Sequence, residues 1–306
     1  MKRMVIAADV DRSLHERAAA DGRFEIVERP VKSEEALAGV VGDCDVLVTR
    51  SFNRVTRRVI DAAPRLELIA QGTSGTDNID AGAARERGIT ILNLPGANAD
   101  AVAELVIGFI IAMTRTVPAY TRELVRGAWN RDDCATRHEM RHYRLGIIGL
   151  GEVGRRVARL AAAFRMRVSA VDPYIGDFHN ATRVDSLDAL LRESDIITLH
   201  VPLTSETRRM VGATQIASMP RGSLLINAAR GEVLDQTAAL DALRSNHLGG
   251  LALDVFDPEP PRGGFPDDPR LILTPHVAGC THEAKSAIGA KLYDKISQFY
   301  SGKSDQ

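Results

Sequence analysis

Leu145-Gly146-Ile147-Ile148-Gly149-Leu150-Gly151-Glu152-Val153-Gly154 is the stretch on which the reading of this chain turns. Residues 145–148 form a short apolar run of strand character that ends on a glycine. From Glu152 onward the period becomes helical, with Val153, Val157 and Leu160 on one side. Each glycine has a reason. Gly149 allows a tight turn, Gly151 lets the backbone approach a pyrophosphate, and Gly154 lets the helix pack closely on the strand. The helix N-terminus then offers unpaired N–H donors and the positive end of its dipole to phosphates. The next strand-like run, residues 167–171, ends at Asp172, 18 residues beyond Gly154. An acid there accepts hydrogen bonds from the adenosine ribose and repels a 2′-phosphate, and Pro173-Tyr174-Ile175-Gly176 brings no Arg or Lys. The pattern points to a dinucleotide, NAD rather than NADP. A glycine turn in an unrelated α/β protein is the plainer alternative; strand, turn, helix, strand and acid in that order argue against it.

On both sides of this turn the chain alternates between strand-like and helix-like stretches. Upstream, residues 4–8, 24–27, 46–49, 66–70 and 90–92 read as strands, and 13–20 and 33–37 as helical. Downstream, strands are expected at 145–148, 168–171, 196–199, 223–226, 250–253 and 271–273, with a last amphipathic helix over 283–300. Alternation of this kind argues for βαβ units, parallel sheets and helices on both faces. After Asn98 a long helical pattern runs through Val102, Leu105, Val106, Phe109, Ile110 and Met113, with its first break at Pro118; it suits a connector between domains. Residues 126–143, which hold the single tryptophan, Trp129, read as a loop, as do residues 258–266.

The 306 residues suffice for two domains of about 150 each. With 44% hydrophobic and 26% charged residues the composition is that of a globular protein. A net charge of -1 gives no reason to expect a nucleic-acid or membrane-surface partner. Cys44, Cys134 and Cys280 are too few and too far apart for a disulfide framework or a zinc site, so no metal is expected. The apolar run after Met1 is too short for a signal peptide or a membrane span. A soluble, cytoplasmic enzyme is the expectation.

Three residues that can do chemistry follow strand-like runs in the second half. In open α/β sheets ligands bind beyond the carboxyl ends of strands. Arg230 follows Leu225-Ile226-Asn227-Ala228-Ala229; a guanidinium grips a carboxylate through two bonds and polarises a neighbouring carbonyl. Glu259 lies in Asp257-Pro258-Glu259-Pro260, and His276 follows Leu273-Thr274-Pro275. Taken singly, each has a plainer reading: a surface arginine, a solvated loop carboxylate, a capping or core histidine. Together they suit removal of a hydride from a 2-hydroxy acid, which needs a base for the hydroxyl proton and a cation for the carboxylate. A carboxylate beside a histidine raises its pKa and fixes its ring, as acid–base work requires.

With these residues in place the chain resembles the D-2-hydroxyacid dehydrogenases over nearly its whole length. The resemblance is carried by residues 145–154, His200-Val201-Pro202-Leu203-Thr204, 222–231, 253–260 and 274–281. Gly75-Thr76-Asp77-Asn78-Ile79-Asp80 matches the family's substrate loop. Within the family the phosphoglycerate dehydrogenase branch is the best match, notably in Gly127-Ala128-Trp129-Asn130, 222–231 and 233–255.

That resemblance implies a fold and roles. Two doubly wound parallel-sheet domains are expected, a Rossmann NAD-binding domain (99–280) inserted into a flavodoxin-like substrate domain (1–98 plus 281–306). Catalysis is expected in a cleft between them, closing by hinges near Asn98 and Gly279. His276 is implied as the general acid/base, Glu259 as its partner, and Arg230 as the binder of carboxylate and carbonyl oxygen. Ser74 and Gly75 would hold the carboxylate through backbone N–H groups. Asp254 would bond the nicotinamide amide and Val201 and Pro202 would flank the adenine. Glu152, Val153, Thr207, Ala228 and Gly279 complete the cofactor set; Arg50, Gln71 and Asn98 complete the substrate set.

Arg50 sits where phosphoglycerate dehydrogenases bind phosphate, but Gln71 stands where some carry a second arginine, and Thr73 replaces a common glycine. The first substrate candidate is 3-phosphoglycerate; glyoxylate or hydroxypyruvate reduction is the alternative, and a non-enzymatic NAD-sensing corepressor the third reading. Formate dehydrogenases are disfavoured, because they place glutamine where Glu259 stands. A homodimer is implied. The chain stops at Gln306, so no C-terminal regulatory domain, and no serine feedback through one, is expected.

Overall fold

A computed structural model describes residues 1–131 and 137–303; Cys134 lies outside them. The chain divides into two compact units, Met1–Asn98 with Cys280–Gln306, and Ala99–Gly279.

The first unit alternates β1 (Lys2–Ile6), α1 (Arg12–Asp21), β2 (Phe24–Glu28), α2 (Glu34–Val40), β3 (Val46–Thr49), α3 (Arg57–Asp61), β4 (Leu68–Gln71), α4 (Ala81–Glu86) and β5 (Thr90–Leu92). The strands form one parallel sheet in the order β2-β1-β3-β4-β5, the flavodoxin-like order. Because helices cover both faces, β3 and β4 are buried along their whole length and read in the sequence as continuous apolar runs. The last helix of the chain, α11 (His282–Lys303), packs Ile288, Leu292, Ile296 and Tyr300 against Met4, Ile6, Val46, Val48 and Leu68.

The second unit opens with α5 (Ala99–Thr114) and α6 (Val117–Val125). The sequence pattern placed the break at Pro118, whereas the helix stops at Thr114 and Thr116 takes a left-handed φ of 46°. Pro118 lies in the first turn of α6, where the missing N–H has no partner to lose. The two axes differ by 60°. Then follow β6 (Arg144–Ile148), α7 (Glu152–Ala163), β7 (Arg167–Val171), the two-residue β8 (Thr182–Arg183), α8 (Leu187–Glu193), β9 (Ile196–Leu199), α9 (Ala213–Ser218), β10 (Ser223–Asn227), α10 (Gln236–Arg244), β11 (Leu248–Leu253) and β12 (Leu271–Leu273).

All seven strands of this unit are parallel, in the order β12-β11-β10-β9-β6-β7-β8. This is the Rossmann order with one further strand at the edge. The chain direction across the sheet reverses between β6 and β9, and a crevice at that reversal is where such sheets bind ligands. Helix α5 buries Val102, Val106, Phe109 and Ile110 against the sheet face that carries Leu145, Ile147 and Ile226. Among the described residues no single helix is long and apolar enough to cross a membrane.

Candidate active site

The glycine turn follows β6 at the reversal point. Gly149 has φ +88°, and a Cβ there would lie 2.8 Å from Val201 Cγ1 and 2.9 Å from the His200 carbonyl carbon. The loops after β6 and β9 therefore touch backbone to backbone, and His200 N–H donates to the Ile148 carbonyl at 2.7 Å. A Cβ on Gly154 would meet the Gly149 oxygen at 2.2 Å, which locks the first turn of α7 onto the strand end. Gly151, at the N-cap of α7, faces open space, with nothing within 4 Å of the point where a Cβ would stand. The three glycines thus divide the work between close packing and leaving room.

Asp172 Oδ2 accepts from Leu150 N–H at 2.8 Å, and its Oδ1 from Tyr174 N–H at 2.9 Å. One bond per oxygen holds the carboxylate at the turn and leaves lone pairs for ribose hydroxyls. These residues fit a dinucleotide: a 12-residue helix aimed by its N-terminus, an uncovered Gly151 and an anchored acid. Around the β9 loop, Thr207 Oγ1 donates to the Pro202 carbonyl at 2.6 Å and receives Thr204 N–H at 2.8 Å, so its hydroxyl shapes the turn that carries Val201 and Pro202. Glu152 turns its carboxylate to Arg156 at 2.8 Å, and Val153 packs on the core.

The catalytic candidates come together within this same unit, on loops leaving β10, β11 and β12. His276 Nδ1 lies 2.8 Å from Glu259 Oε2, and the other carboxylate oxygen accepts Phe256 N–H at 2.9 Å. Burial pushes the Glu259 carboxyl up, but the hydrogen bond and charge of His276, the Phe256 N–H and the Arg230 charge together hold it below its ordinary value. Glu259 is thus an anion that orients the His276 ring through Nδ1.

Two backbone devices put these groups in place. Asp254, fully buried, accepts Thr274 Oγ1 at 2.6 Å and Val277 N–H at 2.9 Å on Oδ1, and Ala278 N–H at 3.0 Å on Oδ2. This carboxylate folds the 274–278 turn around itself, in which His276 takes a left-handed φ of 53°. Such a conformation is costly for a side chain with a Cβ and persists only where its surroundings fix it. Asn227, also fully buried, gives Nδ2–H to the Arg230 carbonyl at 2.9 Å and takes Ala229 N–H at 3.1 Å, fixing the turn that presents Arg230 and holds Ala228 on the core. A Cβ on Gly231 would lie 1.9 Å from the Phe256 oxygen, so only glycine lets the Glu259 loop lie against the Arg230 turn.

The first unit carries the other expected residues. Ser74 is exposed, and its hydroxyl donates to the Leu94 carbonyl at 3.1 Å; the backbone N–H groups of Ser74 and Gly75 donate to nothing among the described residues. Arg50 is half-buried, with its N–H held by Asn53 Oδ1 at 3.0 Å. Gln71 is fully buried, and its amide bonds Thr49, Thr73, Gly75 and Asn78 around the loop. Asn98 ends the first segment of the first unit, and Gly279 ends the second unit.

Asn227 and the loop-shaping roles of Gln71 and Asp254 were not seen in the sequence. A usable signal existed: each is a polar residue closing a run of buried strand residues, where a lone amide or acid must bond the following loop.

The model of the D-isomer specific 2-hydroxyacid dehydrogenase NAD-binding domain matches residues 107–278, and the chain belongs to this family. Among relatives, D-3-phosphoglycerate dehydrogenase of Methanocaldococcus jannaschii is 39% identical over 88% of this chain and 52% of its own length. Hydroxypyruvate reductase of Thermotoga maritima is 37% identical over 89% of this chain and 90% of its own. The chain therefore spans about half of the first relative and nearly all of the second. Among solved structures, D-lactate dehydrogenase of Aquifex aeolicus, complexed with NAD and lactic acid, superposes with a TM-score of 0.87 at 26% identity, covering 99% of this chain and 97% of its own.

Proposed function

We propose that this chain interconverts a short D-2-hydroxy acid and its 2-oxo acid with NAD as the hydride carrier. One observation carries the reading: the His276–Glu259 pair, held at 2.8 Å, stands under the charge of Arg230 on the same sheet edge as the glycine turn. When bound, NAD takes up or gives the hydride. His276 Nε2 takes the hydroxyl proton in oxidation and returns it to the carbonyl oxygen in reduction. Glu259 stays ionised, fixes the ring through Nδ1 and stabilises the imidazolium, the part the carboxylate plays in an acid–base dyad of this kind. Arg230 pairs with the carboxylate and polarises the carbonyl. Asp172, anchored at the end of β7, favours NAD over NADP. Loop 73–76 supplies carboxylate recognition through the Ser74 and Gly75 N–H groups.

Of the family's substrates we put 3-phosphoglycerate first, on the relatives of that name and on Arg50. Hydroxypyruvate is a second reading. A 37% identical relative is named hydroxypyruvate reductase, and Gln71 offers no cation to a phosphate. A cytoplasmic homodimer belongs to the same proposal, resting on the resemblance to the family. Rates of NADH oxidation with phosphohydroxypyruvate, hydroxypyruvate, glyoxylate and pyruvate decide the substrate. A kcat/KM for phosphohydroxypyruvate at least ~10-fold above hydroxypyruvate, the worth of one charge-assisted contact, supports the first reading. Equal values remove it.

A further inference from the structure

We propose that Gln71 is the positioning residue of the carboxylate-binding loop, its buried amide fixing the Ser74 and Gly75 N–H groups and the backbone of Arg50 in one arrangement. The inference rests on the reading of loop 73–76 given above.

Gln71 closes β4 and pairs with Thr49 on β3 in the sheet register. Thr49 Oγ1 donates to Gln71 Oε1 at 2.6 Å, which sets the orientation of the amide. Nε2 must then face the loop, where it reaches Thr73 Oγ1 at 2.9 Å, Asn78 Oδ1 at 2.8 Å and the Gly75 carbonyl at 3.2 Å. The reverse orientation would aim an oxygen at the Gly75 carbonyl.

The same polarity runs on through two more amides. Asn78 turns Oδ1 to Gln71 and gives Nδ2–H to the carbonyls of Asn53, at 2.6 Å, and Arg50, at 3.2 Å. Asn53, nearly fully buried, accepts Arg50 N–H on Oδ1 and gives Nδ2–H to the carbonyls of Val31, at 2.9 Å, and Ala7, at 3.3 Å. One directed chain, Gln71–Asn78–Asn53, therefore ties together the loops that follow β1, β3 and β4.

Its partners are the backbone groups of the proposed substrate residues, above all the Gly75 carbonyl. Thr73 Oγ1 adds a bond to that carbonyl at 3.1 Å, so it is held from two sides, while the Ser74 and Gly75 N–H groups donate to nothing among the described residues. Groups in such a network strengthen one another, and a lost donor leaves buried acceptors unpaired.

The test uses Gln71→Leu, which keeps the bulk and removes all four bonds, and Thr73→Val, which removes one hydroxyl. A carboxylate bound alike in ground and transition states appears in KM and not in kcat. In Gln71→Leu, KM for hydroxypyruvate and the Ki of oxamate, an unreactive carboxylate analogue, should both rise about 10-fold or more, with kcat within about 3-fold and NADH affinity unchanged. Thr73→Val should move both constants a few-fold in the same sense. Amide hydrogen exchange across residues 72–78 should speed up about 10-fold in Gln71→Leu. A lower melting temperature with unmoved KM and Ki overturns the proposal and makes the amide structural only. Unchanged exchange at residues 72–78 overturns it too, in either variant. If the wild-type chain reduces no 2-oxo acid, the functional reading falls, while the exchange result still decides the positioning role.

Discussion

Replacing Gly231 by alanine adds a single methyl and alters no ionisable group, yet the structure gives it a large effect on turnover. The added Cβ would sit 1.9 Å from the Phe256 oxygen, 2.0 Å from its carbonyl carbon and 2.7 Å from Asp257 N. All three are backbone atoms, so no side-chain rotation relieves the clash. Restoring an ordinary contact of 3.4 Å moves the 256–257 backbone by about 1.5 Å. Glu259 hangs from that backbone through the Phe256 N–H and holds His276 Nδ1 at 2.8 Å, so the displacement breaks the pair or swings the ring. A misplacement of about 1 Å at a reacting group costs on the order of 10²-fold. Overpacking of this kind costs stability by about 1–3 kcal/mol. Steady-state kinetics with NADH and hydroxypyruvate should therefore show kcat down about 100-fold. Fluorescence titration should find NADH affinity within a few-fold of wild type, since the glycine turn at 149–154 is untouched. A melting curve gives the folded fraction, by which the rates are corrected. A fully folded Gly231→Ala protein with kcat within 3-fold of wild type would refute the reasoning.

Two further outcomes follow from the site. Asp172→Ala should narrow the preference for NADH over NADPH by about 10-fold or more, because the acid that repels a 2′-phosphate is gone; unchanged cofactor ratios would remove its role. The Glu259 carboxyl titrates below its ordinary value in the folded chain, so its contribution to stability is complete above about pH 4.5 and is lost as pH falls through the lowered value. The melting temperature of wild type should thus exceed that of Glu259→Gln at pH 5, and the margin should shrink as pH falls further. A margin that persists unchanged to pH 3 would deny the carboxylate its charged role.

Much of the fold was legible because parallel strands covered on both faces leave unbroken apolar runs. Residues 46–49, 196–199 and 271–273 were read with the bounds that β3, β9 and β12 have. The two exposed residues of β8 bury nothing and so leave no pattern, and α3 and α4, at 5 and 6 residues, are too short to show a helical period. Pro118 misled because proline is a break in the middle of a helix and a favoured residue in its first turn; the break belongs to Thr116.

At the site, Arg230, Glu259 and His276 could be picked out because each is a chemically capable side chain just after a strand. Their supports could not. Asn227 and Gln71 carry only the general signal of a polar residue closing a buried strand, which does not say what each bonds, and Gly231 shows its necessity only when the 256–257 backbone is laid against it. Those relations span 25 residues or more in the case of Gly231 and depend on two strands lying side by side.

The central claim is that His276 moves the proton of a 2-hydroxy acid while NADH is held elsewhere in the same unit. The direct measurement is NADH oxidation with hydroxypyruvate or its phosphate by wild type and by His276→Ala, alongside NADH binding to each. The account predicts a kcat lower by about 10²–10⁴ in the variant with cofactor affinity retained. Near-normal turnover by His276→Ala would contradict it.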